Sequence, residues 1–201
     1  MYTQEINHIA ERAIPKEGEM LVRAVLFAAL TGIGALVRIP TSPVPVTMQV
    51  FFVLLSGMVL GPTWGAASQL IYLCMGLCGA PFFAAPPYAG PAVLFGPTGG
   101  YLWGFVAAAG AAGWVSEAFS RRERPRGRIP GMGYFCAGLA GIAVIYTAGT
   151  AWLGAWLSLH GASASAAFKL GVKPFFLPDL MKAAAAAALA AMVPHKRPQR
   201  L

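Results

Sequence analysis

Six apolar runs divide this chain, and each is stopped by a proline-rich, glycine-containing or charged break. Residues 1–19 are polar and mixed in sign, with Glu5, Glu11, Glu17 and Glu19 against Arg12 and Lys16. They lack the basic stretch directly ahead of an apolar core that marks a secretory signal. The first run, 20–37, ends at RIPTSPVPV (38–46), whose three prolines cannot continue a helix. The second, 47–61, is short for a full span and predicts a helix that is tilted or rests on its neighbours. Pro62 breaks it, and a third run covers 63–79. Segment 80–97, APFFAAPPYAGPAVLFGP, holds five prolines and no charged side chain, so helix is poorly supported there. Irregular apolar backbone cannot face lipid, so this segment is expected to pack on protein, line a cavity or lie at an interface. The fourth run, 98–119, opens with Thr98 as a candidate N-cap. SRRERPRGRIP (120–130) separates it from the fifth run, 131–158. A polar stretch with His160, Lys169 and Lys173 (159–173) then precedes the sixth, PFFLPDLMKAAAAAALAAMV (174–193).

Composition narrows the class. Of 201 residues, 57 % are hydrophobic and 11 % charged, and the mean hydropathy is +0.63. A soluble domain carries about 25 % charged residues, so a soluble globular domain is disfavoured and disorder is excluded. The predicted fold class is an all-α membrane protein, a bundle of six transmembrane helices, since a span takes about 20 residues. Three parts follow: an N-terminal segment 1–19, a membrane domain 20–193 and a basic tail 194–201. The net charge of +8 reads as loop bias, not as a nucleic-acid face. An even number of spans puts both termini on one side, with Arg12, Lys16, the five arginines of 121–128, Lys196, Arg197 and Arg200. The other side holds Arg38, Lys169 and Lys173, so ten basic residues against three place the termini in the cytoplasm.

Small residues recur at helical spacing: Ala24–Ala28–Gly32, Gly57–Gly61–Gly65, Gly100–Gly104 and Ala137–Gly141. Such pairs let helices approach closely, either within one chain or toward a separate subunit. Cys74, Cys78 and Cys136 read as small buried hydrophobes, without a partner set for disulfides or metal.

Asp179 is the sole aspartate, and Lys182 follows it by three residues on the same helix face. Ionisable groups within a span are costly and point to function. A carboxylate that accepts from N–H groups beside an ammonium that donates to oxygen would clamp a cyclic urea, an amide or a carboxylated ligand. The plainer alternative is an ion pair that only closes the bundle. Gly96-Pro97-Thr98-Gly99-Gly100-Tyr101 opens the fourth helix with amides that would suit a polar ligand group, or merely with glycines for close packing. Gln49, Ser68, Gln69 and Tyr72 are polar residues expected chiefly as interhelical hydrogen-bond partners. HExxH, GxSxG, Walker A and CxxC motifs are all absent, so no enzyme and no self-powered pump is expected.

These blocks resemble the BioY family, the substrate-binding S components of energy-coupling-factor (ECF) biotin transporters. The resemblance runs over about residues 20–193: AVLFAALT (24–31), PVPVTMQ (43–49), GLCGAPFF (76–83), GPTGGY (96–101) and PDLMK (178–182). It implies a six-helix bundle of the S-component type in the cell membrane, with a biotin pocket open to the outside and no cofactor besides that cargo. It implies an EcfT-type coupling protein and ABC-type ATPase subunits as partners, with Ala24 and Ala28 on the coupling face. Asp179 and Lys182 then line the pocket, together with Gln49, Phe82, Gly96, Thr98, Gly99, Gly100 and Tyr101. The chain departs from the family at 84–89, AAPPYA, where Tyr88 is the expected substitute contact. An S component for another vitamin, a membrane enzyme using Lys182 and a plain structural subunit are the competing readings.

Overall fold

Helix begins at Lys16, ahead of the apolar run, where Glu17 and Glu19 in the opening turn favour the positive end of the helix dipole. The computed structural model describes residues 16–121 and 131–193. Most of the N-terminal segment, most of the arginine loop and the basic tail lie outside the described residues. Helix α1 (Lys16–Leu36) leads into β1 (Arg38–Ile39) and β2 (Val46–Thr47). These form a small antiparallel ribbon pairing Arg38 with Thr47 and Ile39 with Val46. The all-α expectation is corrected to that extent, because Pro40, Pro43 and Pro45 deny the segment a helix while its ends still pair backbone groups. Then follow α2 (Gln49–Leu77), α3 (Pro91–Phe95), α4 (Gly99–Arg121), α5 (Met132–Leu159), α6 (Ala166–Gly171) and α7 (Phe176–Met192). α3 corrects the expectation of coil in 80–97: its proline stands at the first helical position, where the missing N–H costs nothing.

Helix α2 is not one rod. Gly61 has φ 81° and ψ 179°, a conformation that is nearly restricted to glycine. Gln69 Nε2 donates to Ser56 Oγ at 3.1 Å across 13 residues, a separation that a straight helix would stretch to about 20 Å. Gln49 Nε2 likewise donates to the Tyr72 hydroxyl. A Cβ on Gly65 would lie 2.7 Å from Gly57 Cα. The chain therefore reverses at Gly61-Pro62, and the arms 49–60 and 62–77 lie side by side as a hairpin.

Small residues set the remaining contacts. Gly57 abuts the backbone of Ala109 and Gly113 on α4, and Gly113 abuts Gly61 and Pro62. Gly100 and Gly104 let α4 approach Trp152, Ala148 and Ile145 on α5. α1 lies along α2, and α7 packs on both α2 and α5. Ala24 and Ala28 are fully buried inside the chain. This corrects the expected coupling face: the small-residue stripe is occupied by internal packing, and α1 instead exposes Leu21, Val22, Val25 and Leu26. Cys74 and Cys78 are exposed, not buried, and Cys136 is half-buried.

Among the described residues, the unbroken helices Glu17–Leu36 and Met132–Leu159 are long and apolar enough to cross a membrane, and Gln49–Leu77 is equally apolar but folded into the hairpin. Apolar side chains on the outside, such as Trp114 and Leu189, suit a lipid surround.

Substituting Gly61→Ala or Gly65→Val is expected to cost about 1–3 kcal/mol each, by backbone strain or overpacking. Melting curves of the purified variants in detergent check this; wild-type midpoints would contradict the tight hairpin.

Candidate binding site

A cavity of about 520 Å³, its open mouth included, lies between the ribbon, the 84–85 loop, the starts of α2, α4 and α7 and the middle of α5. Its apolar wall includes Val50, Leu102, Phe105, Ile145 and Phe175. Its polar groups converge from three sides.

The first side is the charge pair. Pro178 sits in the first turn of α7, where proline is tolerated, and Asp179 follows at the favourable end of the helix dipole. Lys182, one turn on, donates to Asp179 Oδ1 at 2.7 Å. Tyr146 of α5 donates to Asp179 Oδ2 at 2.9 Å. Asp179 is 2 % exposed and Lys182 8 %. Each carboxylate oxygen thus has a protein partner, while the ammonium, which carries three donors, spends one on Asp179.

The second side is the ribbon and hairpin. Thr47 Oγ1 donates to Gln49 Oε1 at 3.1 Å, and the Gln49 amide reaches Tyr72 on the other arm. Tyr72 in turn donates to the Phe82 carbonyl at 3.2 Å. The third side is the start of α4. Tyr101 donates to the Gly171 carbonyl at 2.9 Å, its ring resting where Gly149 and Gly171 have no side chain. Thr98 lines the cavity with a buried hydroxyl that has no hydrogen-bond partner. Thr98 does stand at the N-cap, its backbone carbonyl accepting from Tyr101 and Leu102 N–H at 3.1 and 3.2 Å, but its hydroxyl makes no capping bond.

Five of the residues singled out by sequence meet at the cavity: Gln49, Thr98, Tyr101, Asp179 and Lys182. Gly96, Gly99 and Gly100 are not among the lining residues. The Gly96 carbonyl accepts from Trp152 at 2.9 Å, and Gly99 and Gly100 make room for the Leu94 carbonyl and Trp152. Phe82 packs over Gly32 of α1. Tyr88 stands outside the cavity under the Arg38 guanidinium, 4.5 Å from its ring centre. Of segment 80–97, Ala84 and Ala85 reach the wall. Sequence reasoning missed Tyr146, Thr47, Phe105 and Phe175; Tyr146 carried a faint signal as a polar ring inside the Gly- and Ala-rich fifth run. Among the described residues no group of His, Cys, Asp and Glu has the arrangement of a metal site.

The BioY family model matches residues 9–199. The chain belongs to the BioY family. It is 41 % identical to a probable biotin transporter BioY of Pyrococcus horikoshii, over 82 % of this chain and 90 % of that protein. It is 38 % identical to the biotin transporter BioY of Thermotoga maritima, over 85 % and 92 %. Its fold is similar to a crystal structure of the S-component for biotin from an ECF-type ABC transporter, with a TM-score of 0.74, 21 % identity, and coverage of 89 % of this chain and 93 % of that one. Transporter relatives and apolar helices together make this an integral membrane protein.

Removing one member of the buried pair strands the other. Lys182→Met is expected to cost about 3–5 kcal/mol of stability, and adding Asp179→Asn to recover most of it. Thermal melts of the two single variants and the double check the pattern; additive losses would mean that the groups do not act as a pair.

Proposed function

We propose that this chain is the substrate-binding S component of an ECF biotin transporter, capturing biotin from outside the cell for ATP-driven uptake. The observation that carries the reading is the buried charge pair that lines the cavity, on a chain whose relatives are biotin transporters. Biotin combines two ureido N–H donors, a carbonyl, an apolar ring and a carboxylate. Asp179 complements the N–H groups, the remaining Lys182 donors complement a carbonyl or carboxylate, and the unpartnered Thr98 hydroxyl serves a further polar atom. Phe105 and Phe175 cover the apolar ring.

The two arms of α2 count separately in this reading, so six segments cross the cell membrane, both termini are cytoplasmic and the cavity opens outward. The chain carries no Walker A motif, so an EcfT-type coupling protein and ABC-type ATPase subunits supply the power. Biotin is cargo; neither a resident cofactor nor an enzymatic step enters the scheme.

Mass spectrometry of ligand released from the purified protein should find biotin, and a panel of other vitamins should not compete with it. Asp179→Asn and Lys182→Ala should each weaken biotin roughly tenfold to a thousandfold, the loss of one or two charge-assisted hydrogen bonds. The stability-restored pair Asp179→Asn with Lys182→Met separates the roles: it should fold yet fail to bind, and wild-type affinity in it would remove the clamp. For topology, a single cysteine at Gly127 in a cysteine-free background should resist an impermeant reagent added to intact cells; labelling from outside would reverse the orientation.

A further inference from the structure

Two loops far apart in sequence contribute to the cavity wall, and one residue joins them. Arg38 pairs by backbone with Thr47, a lining residue. Its side chain crosses to the other loop, where Nη1 donates to the Ala84 carbonyl at 3.1 Å. The same guanidinium lies 4.5 Å above the centre of the Tyr88 ring. Ala84 and its neighbour Ala85 are the part of that loop that lines the cavity.

The loop tip is tied to itself by backbone hydrogen bonds. Phe83 N–H donates to the Tyr88 carbonyl at 2.9 Å, and Tyr88 N–H donates to the Ala85 carbonyl at 2.8 Å. Residues 83–88 therefore close on themselves. The base of the loop is held elsewhere, by the fully buried Phe83 and by Gly90 N–H on the Gly76 carbonyl at 2.8 Å. Tyr88 has φ 70°, which non-glycine residues seldom adopt without outside support. Tyr88 is 37 % exposed and Arg38 is exposed too, so their contact lies at the surface, where it can open without unpacking the core.

We propose that Arg38 and Tyr88 form a latch that holds the 84–88 tip as a wall of the cavity and so slows release of the bound ligand. Arg38 is a positioning residue, acting on the ligand through Ala84 and Ala85. The guanidinium suits both tasks, since its plane stacks on the ring while its edge donates to the carbonyl. The kinetic half of the proposal rests on the biotin reading above; the mechanical half does not.

The test uses the full chain in lipid nanodiscs, with Arg38→Ala, Tyr88→Ala and Tyr88→Phe. Hydrogen exchange on ligand-free protein should quicken across 84–89 in the two alanine variants and stay at the wild-type rate in Tyr88→Phe, which keeps the ring. Biotin dissociation after rapid dilution should speed up roughly threefold to thirtyfold in the alanine variants, with Tyr88→Phe again like wild type. Melting midpoints should stay near wild type in all three, because both side chains are exposed. Unchanged exchange in Arg38→Ala overturns the latch, as does a Tyr88→Phe variant as impaired as Tyr88→Ala. Quickened exchange with unchanged dissociation overturns the control of release. If the wild-type protein binds no biotin, the biotin reading fails, and the exchange data alone decide for or against the latch.

Discussion

A polar group inside an apolar helical protein persists only when another group of the protein, or a ligand, satisfies it. The cavity end of this chain is organised by that demand. Asp179 on α7 is held by Tyr146 on α5; the two arms of α2 are joined through Gln49 and Tyr72; Tyr101 on α4 reaches the backbone of α6. Each bond links separate segments, so satisfying the polar groups also fixes how the helices stand around the cavity. At the cavity the unmatched groups are the Thr98 hydroxyl and part of the Lys182 ammonium; elsewhere among the described residues Gln69 Oε1, inside the hairpin, is also buried without a partner. A ligand that completes those bonds gains more here than at the surface, because water does not compete equally in a buried site.

The opposite end depends on close approach. Gly57, Gly65 and Gly113 bring the hairpin arms and α4 to backbone contact, which in lipid substitutes dispersion for a hydrophobic driving force. The same device reaches the cavity indirectly. Tyr101 stands in the wall because Gly149 and Gly171, one on α5 and one ending α6, leave space for its ring and hydroxyl. Neither glycine lines the cavity, yet a side chain at either would displace one that does.

The reversal at Gly61-Pro62, the irregular 38–46 segment and the Asp179–Lys182 pair could be read from sequence because each rests on local chemistry: proline geometry, or two charges one turn apart. The remainder depends on tertiary placement. Tyr146 is tied to the site by Asp179, 33 residues on. The aromatics of 80–97 have no period to say which way they face, and the structure sends Phe82 to α1, Phe83 to Tyr72 and Tyr88 to Arg38. Ala24, Ala28 and the cysteines were misplaced for a related reason. In a chain solvated by lipid, hydrophobicity does not separate inside from outside, so a small residue gives no sign of which neighbour it meets.

The cavity itself follows from helix length. An arm of residues 49–60 is about 18 Å long, well short of a hydrocarbon core of about 30 Å. Beyond the start of this arm the chain continues as the ribbon, and beyond the second arm as the 80–97 segment. Irregular backbone at such depth is tolerated only where protein covers it or where it lines a cavity, and here its groups are paired: Met48 N–H with the Gly34 and Val37 carbonyls, Gly90 N–H with Gly76, Phe83 N–H with Tyr88. Loops so tethered cannot pack as densely as helices. The space left under them, above the ends of the shortened arms, is where Gln49, Thr98 and Lys182 face one another. Lengthening the arms would satisfy the backbone more simply, but it would fill the volume that the charge pair now borders.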